Sequence, residues 1–400
     1  MTHRFLKLLT ASALLTLGSP FMSEVKASEV QEATTLSLRQ EPFLKAPEVK
    51  SLPKKFFYDS GVDIAYPEDG VKGIYLTANS AGSTEKMDDM ISYLNSNDLN
   101  AMVIDIKDDF GFVTTQFDTD DEHLQSNTIT TIEDIDALIG KLEENQIYPI
   151  ARVVAFKDSE LPKTQPEMSF RYPSGEVWTA GNGEAFINPF MKETWDYAIN
   201  VGIEAAKVGF KEIQFDYVRF PEGFEVWGED LVYDMGDYAD ADMDDVQKRV
   251  AAVSDFVAYA REQLMPYGVE VSVDIFGYAA TVPEAPGIGQ NFSNIASHVD
   301  VISSMIYPSH WGASYFGIDA PDLHPYEVVD EYMKVELPLL ESLDHTPVTR
   351  PWLQDFTASY LGAGYYKDYG NEEVMAQVQA LNDHGVTEFL LWNAGNVYSY

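Results

Sequence analysis

Short apolar runs recur along the chain at spacings that leave room for a helix between each pair. They are VKGIYLTA (71–78), NAMVIDIK (100–107), YPIARVVAF (148–156), EIQFDYVRF (212–220), VEVSVDIFGY (269–278), VDVISSMIY (299–307), TRPWLQDF (349–356) and TEFLLWNAG (387–395). Apolar density of this kind predicts strands buried on both faces. Between them lie segments with apolar residues at helical spacing: MDDMISYLNSNDL, TIEDIDALIGKLEENQ, KETWDYAINVGIEAAKVG, DDVQKRVAAVSDFVAYAREQL and NEEVMAQVQALNDHG. Asn97, Gly209 and Gly385 stand where three of these helices should stop. Eight strand–helix repeats predict a (β/α)8 TIM barrel over residues 71–400. A doubly wound open sheet is the runner-up, but the turn after the first run, Ala78 to Ser83, has no glycine-rich nucleotide signature.

The fourth run raises a chemical question. Ile213 and Phe215 share one face of the strand, while Gln214 and Asp216 share the other and Arg219 follows. A bland account is an Asp216–Arg219 ion pair near a strand end. In a barrel, however, residues late in a strand look into the mouth where active sites are built. The other strand ends supply Asp105, Lys107 and Asp108, then Arg152, Asp274, Tyr307, His310, Gln354, Asp355 and Asn393. Aromatic residues fall on the same side: Tyr217, Phe276, Tyr278, Trp311, Trp352 and Trp392.

Carboxylates beside aromatic rings suit carbohydrate chemistry. One acid protonates the leaving oxygen, a second carboxylate attacks or activates water, and rings stack on the apolar face of a sugar. Asp216, Asp274 and Asp105 are the candidate catalytic residues; Lys107, Arg152, Arg219, Tyr307, Trp311, Gln354, Trp392 and Asn393 are the candidate substrate contacts. Arg219 is expected chiefly to hold a carboxylate. For the general acid the choices are Asp274, Asp105, Asp355 and Glu222, with Asp274 favoured because neighbouring strands bring it beside Asp216 and it shares a face with Ser272. This chemistry needs no cofactor and no metal.

Rival chemistries lack their residues. The seven histidines show neither HxH nor HExxH spacing, there is no cysteine, and no GxSxG elbow occurs. The acidic stretch GEDLVYDMGDYADADMDDVQ (228–247) lacks the DxDxDG turn of a calcium loop and is expected to be a solvated lid. Sixty-five acidic against 26 basic residues give a net charge of −39, which disfavours nucleic acid and anionic membranes as partners.

At the start of the chain, Arg4 and Lys7 precede an apolar stretch from Leu8 to Met22, and Val25-Lys26-Ala27 offers small residues at a cleavage position. This predicts a signal peptide over 1–27, an exported protein with no stable membrane insertion after cleavage, and a polar linker over 28–70. Loss of Arg4, Lys7, Lys26 and Glu24 takes +2 from −39 and leaves −41.

The stretches GIYLTANSAGS (73–83), AMVIDIKDDFG (101–111), FINPFMKETWDYAI (186–199), GFKEIQFDYVRFPEG (209–223), VSVDIFGYAA (271–280), VISSMIYPSHW (301–311) and RPWLQDF (350–356) together resemble a bacterial family of glycoside-hydrolase-type TIM barrels with an FDYVRFP motif, remotely similar to α-galactosidase-like and amylase-like barrels. The resemblance implies a secreted or surface enzyme acting on a cell-wall polysaccharide or exopolysaccharide, with the aspartate ending the fourth strand, Asp216, as nucleophile. The alternative function is a carbohydrate-binding or cell-wall-associated barrel without turnover, which would need the rings but not paired carboxylates.

Overall fold

Each of the eight apolar runs forms a strand in the computed structural model, which describes residues 57–400. In chain order the strands are β1 (Lys72–Leu76), β2 (Ala101–Lys107), β3 (Val113–Thr115), β4 (Thr128–Ile132), β5 (Tyr148–Val154), β6 (Glu212–Asp216), β7 (Glu270–Phe276), β8 (Val301–Met305), β9 (Val348–Thr349), β10 (Trp352–Gln354) and β11 (Phe389–Trp392). Parallel pairing runs from β1 to β2, β5, β6, β7, β8, β10 and β11, and β11 pairs with β1 to close the ring. Closure rules out the open sheet. The seventh predicted strand is split into β9 and β10 at Arg350-Pro351, because proline has no N–H to give a central ladder. Between β2 and β5 the chain adds β3, antiparallel to β2, and β4, parallel to β3.

The five predicted helices form over Thr84–Ser96, Ile135–Glu144, Lys192–Val208, Asp245–Leu264 and Asn371–Asp383. Side-chain oxygens of Ser83, Asp134 and Asp244 accept N–H groups in the first turns of the first, second and fourth of them. Gly209 and Gly385 take left-handed backbone where their helices stop, but at the first stop the left-handed residue is Asp98, not Asn97. A sixth long helix, Pro325–Glu341, opens on proline at its first position, where the missing N–H has no intrahelical partner to lose.

The two ends of the lumen are both polar. At the amino-terminal end Arg350 donates to Glu212 at 2.8 Å and to Glu388 at 2.8 Å, and the Tyr66 hydroxyl donates to Glu388 at 2.7 Å. Tyr66 belongs to the segment preceding β1, which lies against the barrel: Ile64 is buried, and Lys211 Nζ donates to the Val62 carbonyl. Residues 1–56, which include the predicted signal peptide and the rest of the predicted linker, lie outside the described residues. No helix among the described residues is long and apolar enough to cross a membrane.

Candidate active site

At the carboxyl end of the lumen one arginine organises the carboxylates. Arg152 on β5 is almost fully buried, so its charge requires partners. Its Nε and Nη2 donate to Asp216 Oδ2 at 2.9 and 2.6 Å, and its Nη1 donates to Asp105 Oδ1 at 2.7 Å and Asp109 Oδ2 at 3.1 Å. Asp216 ends β6 with the inward alternation expected, while Phe215 faces outward against Phe256. The next residue, Tyr217, has a left-handed φ of 52°, and its backbone N–H donates to Asp216 Oδ1 at 2.6 Å. Both carboxylate oxygens are thereby oriented before any ligand arrives.

A cavity of about 430 Å³ opens above this floor. Arg152, Asp216, Arg219, Asp274, Tyr307, Trp311 and Trp392 line it, with Trp352, Tyr217, Phe276, Tyr278 and His310 from the wider set of sequence candidates. Trp392 stacks on Tyr75 at 4.1 Å between centroids and meets Trp352 edge-on at 5.5 Å, which fixes its exposed face.

Asp274 lies beside Asp216 in a different environment. Its Oδ1 accepts the Trp352 indole N–H at 2.7 Å, and it makes no ion pair with Arg152 or Arg219. Burial, reinforced by the charge of Asp216, pushes its carboxyl well above the usual range, against the smaller opposing pull of the Trp352 hydrogen bond and of Arg152.

Several expected contacts fall elsewhere. Asp216 pairs with Arg152 and not with Arg219, whose guanidinium instead packs over the rings of Tyr217 and Phe276, at 4.8 and 4.9 Å, and reaches Glu222 at 3.5 Å. Asp105 stays behind Arg152, outside the cavity, held by the Tyr75 hydroxyl at 2.5 Å. Burial pushes its carboxyl up to about 6 in spite of the opposing pull of Arg152. Lys107 is turned away from the lumen by a register break in β2 after Asp105, and pairs with Asp158 at 2.8 Å below the barrel surface. Gln354 braces two loops, donating to Asp322 and accepting from the Ser309 N–H. Asn393 closes a turn by donating to the carbonyls of Asp355 and Val397. Asp355, a candidate acid, accepts from the Ser399 N–H and does not line the cavity, whereas Glu222 does.

Sequence reasoning missed Asp109. In the turn Asp108-Asp109-Phe110-Gly111, Asp108 Oδ1 takes the N–H groups of Phe110, Gly111 and Phe112, leaving Asp109 to face the cavity. Burial raises the Asp109 carboxyl, but Arg152 and Lys157 outweigh it and hold it down at about 2. An aspartate pair before Phe-Gly is a legible turn signal, and the second member is the one left over. The acidic stretch 228–247 supplies no cavity lining, and it is pinned rather than lid-like: Tyr233 and Tyr238 pack on Phe190, and the Asp234 carbonyl accepts from Asn188. Among the described residues no group of three or more histidine, aspartate or glutamate side chains is placed to hold a metal ion.

A family model described as "putative glycosyl hydrolase domain" matches residues 73–398. Among solved structures, a hypothetical protein from Ruminiclostridium thermocellum is 31% identical, with 50% of this chain and 96% of that one covered and a TM-score of 0.43. The PgaB (BpsB) glycoside hydrolase domain from Bordetella bronchiseptica is 13% identical over 81% of this chain and 94% of that one, with a TM-score of 0.53. A β-galactosidase from Marinomonas ef1 is 12% identical over 81% of this chain and 54% of that one, with a TM-score of 0.51. The last two likenesses are of fold. No curated protein matches the chain.

Proposed function

The chain belongs to this family of glycosyl hydrolase domains, and on that footing we propose that it cleaves glycosidic bonds of a polysaccharide or oligosaccharide outside the cytoplasm, with Asp216 and Asp274 as the reacting carboxylates. One observation carries this reading: two neighbouring carboxyl groups in one cavity have opposite surroundings, Asp216 held by Arg152 and Asp274 buried without an ion pair. Unlike environments divide acid and anionic roles between two carboxyl groups.

Asp274, with its raised pKa, donates its proton to the glycosidic oxygen as the bond from that oxygen to the anomeric carbon breaks. Asp216 attacks the anomeric carbon as nucleophile and forms a glycosyl ester as that bond breaks; water then adds to the same carbon and displaces the Asp216 carboxylate, giving one proton to Asp274 and leaving its hydroxyl on the new reducing end. Trp392, Tyr307 and Trp311 offer ring faces to the sugar, and Arg219 is a donor at the rim. Arg152 positions Asp216, with four of its five N–H donors already bound to Asp216, Asp105 and Asp109.

The test is release of reducing ends from a panel of cell-wall polysaccharides and exopolysaccharides. Asp216→Asn and Asp274→Asn are each expected to lower kcat by about 10²–10⁴-fold while glycan binding persists. With wild-type enzyme, turnover should fall as pH rises through the raised pKa of Asp274, because only the protonated acid can donate. If Asp216→Asn melts early yet keeps its turnover per folded molecule, the aspartate is structural and the assignment is wrong. Glycan binding without turnover by the wild-type protein would favour the binding-module alternative. Export rests on the pattern of residues 1–27; exported protein is expected to begin at Ser28, and an intact Met1 on it would overturn that placement.

A further inference from the structure

Six aromatic side chains among the described residues are exposed: Tyr58, Phe110, Tyr172, Tyr278, Tyr360 and Tyr365. All but Tyr58 lie in segments that follow the carboxyl end of a barrel strand: Phe110 after β2, Tyr172 after β5, Tyr278 after β7, and Tyr360 and Tyr365 after β10. A ring in water forgoes the roughly 1.5–3 kcal/mol that burying a large apolar side chain yields, so a soluble surface has no stability reason to gather them at one end. That end is the one carrying the cavity.

The rings also connect to the cavity. Tyr278 both lines it and is 38% exposed, and it stacks on Phe276, another lining residue. Phe110, 64% exposed, is next in sequence to Asp109 in the cavity wall. Tyr360 and Tyr365, 68% and 60% exposed, lie in the segment after β10 that also holds Phe356, whose ring packs edge-on against Tyr307 and His310 of the lining. In the closed ring, β2 and β10 are separated on one side by β11 and β1 and on the other by β5, β6, β7 and β8. Phe110 and the tyrosine pair therefore stand on separate sectors of the rim. A cavity of about 430 Å³ is at the small end of ligand sites, roughly the size for one or two sugar units, and the rim rings lie beyond it.

We propose that Phe110, Tyr360 and Tyr365 are outer sugar-binding platforms, so that the site takes an extended glycan chain across the barrel mouth and not a free disaccharide. The inference rests on the hydrolase reading for the identity of the central cavity. Each platform stacks on the apolar face of one sugar ring; such contacts contribute about 0.5–1.5 kcal/mol each, which is about two- to tenfold in affinity.

The experiment uses the full chain and soluble oligosaccharide ladders of starch, cellulose, chitin and galactan, from disaccharide to hexasaccharide. Binding is followed by the fluorescence of the cavity tryptophans Trp311, Trp352 and Trp392. For at least one ladder, wild-type affinity should climb with chain length. In the triple variant Phe110→Ala, Tyr360→Ala, Tyr365→Ala the hexasaccharide should lose about tenfold or more, with a loss that shrinks toward the disaccharide. A thermal melt matching wild type shows that the fold is kept, as the exposure of all three rings predicts. Length-independent affinity, an equal loss at every length, or no binding to any of the four ladders overturns the platforms. A length-dependent affinity with no cleavage leaves the platforms standing and removes the hydrolase reading, so the two failures are distinct.

Discussion

At the scale of single residues, burial has turned chemically identical aspartates into different groups. Asp109 is held at about 2 by Arg152 and Lys157 against the effect of burial, whereas Asp105, which accepts from the same Nη1 of Arg152, is pushed up to about 6 by burial. The Asp105 shift has a sign that can be checked. A carboxyl whose folded pKa lies above its unfolded value contributes stability that is fully present below about 3.9 and is lost as pH climbs through about 6. Going from about 3.9 unfolded to about 6 folded is an effect on the order of 3 kcal/mol. In Asp105→Asn, where Asp109 and Asp216 still hold Arg152, the decline of unfolding free energy between pH 4 and pH 7 should be shallower than in wild type. Urea titrations across that range measure it, and an unchanged slope would show that Asp105 does not titrate there.

At the scale of elements, the turn between β2 and β3 carries more than its length suggests. Gly111 has φ of 107°, and a Cβ built on it would lie 2.2 Å from Asp158 Oδ1. That carboxylate cannot step aside, because the same oxygen accepts the N–H groups of Glu160 and Leu161 while its partner oxygen pairs with buried Lys107. Gly111→Ala should therefore strain the turn and disturb a buried ion pair, with a loss on the order of 3 kcal/mol or more. Since Asp109 is in the same turn, kcat should fall as well. A variant that melts with the wild type would show the turn to be compliant.

Across the whole molecule the barrel separates stability from chemistry along its axis. The network of Arg350, Glu212, Glu388 and Tyr66 closes the amino-terminal end, opposite the cavity. Removing Arg350 leaves Glu212, which has no solvent exposure, without its countercharge; breaking a buried pair costs about 3–5 kcal/mol. Arg350→Met is expected to lower the melting temperature while leaving kcat per folded molecule close to wild type. A fall in kcat out of proportion to the folded fraction would show that the two ends are coupled.

The eight apolar runs, five of the six long helices and the inward alternation of Gln214 and Asp216 were legible along the chain, because strand and helix periods are local and a closed barrel must bury both faces of every strand. So was the convergence of Asp216, Asp274, Trp392 and Tyr307 on one mouth, which follows from their places late in parallel strands. Which arginine holds Asp216 was not legible. Arg219 is three residues away in sequence and Arg152 is sixty-four, but Arg152 sits on the adjacent strand facing the lumen, where β5 and β6 pair in register. Likewise Lys107 has the spacing from Asp105 of a same-face neighbour, and only the register break in β2 turns it toward Asp158. Periodicity assigns a residue to a face; the partner of a buried charge depends on strand register, bulges and turn closure, which bring together atoms that no local pattern relates.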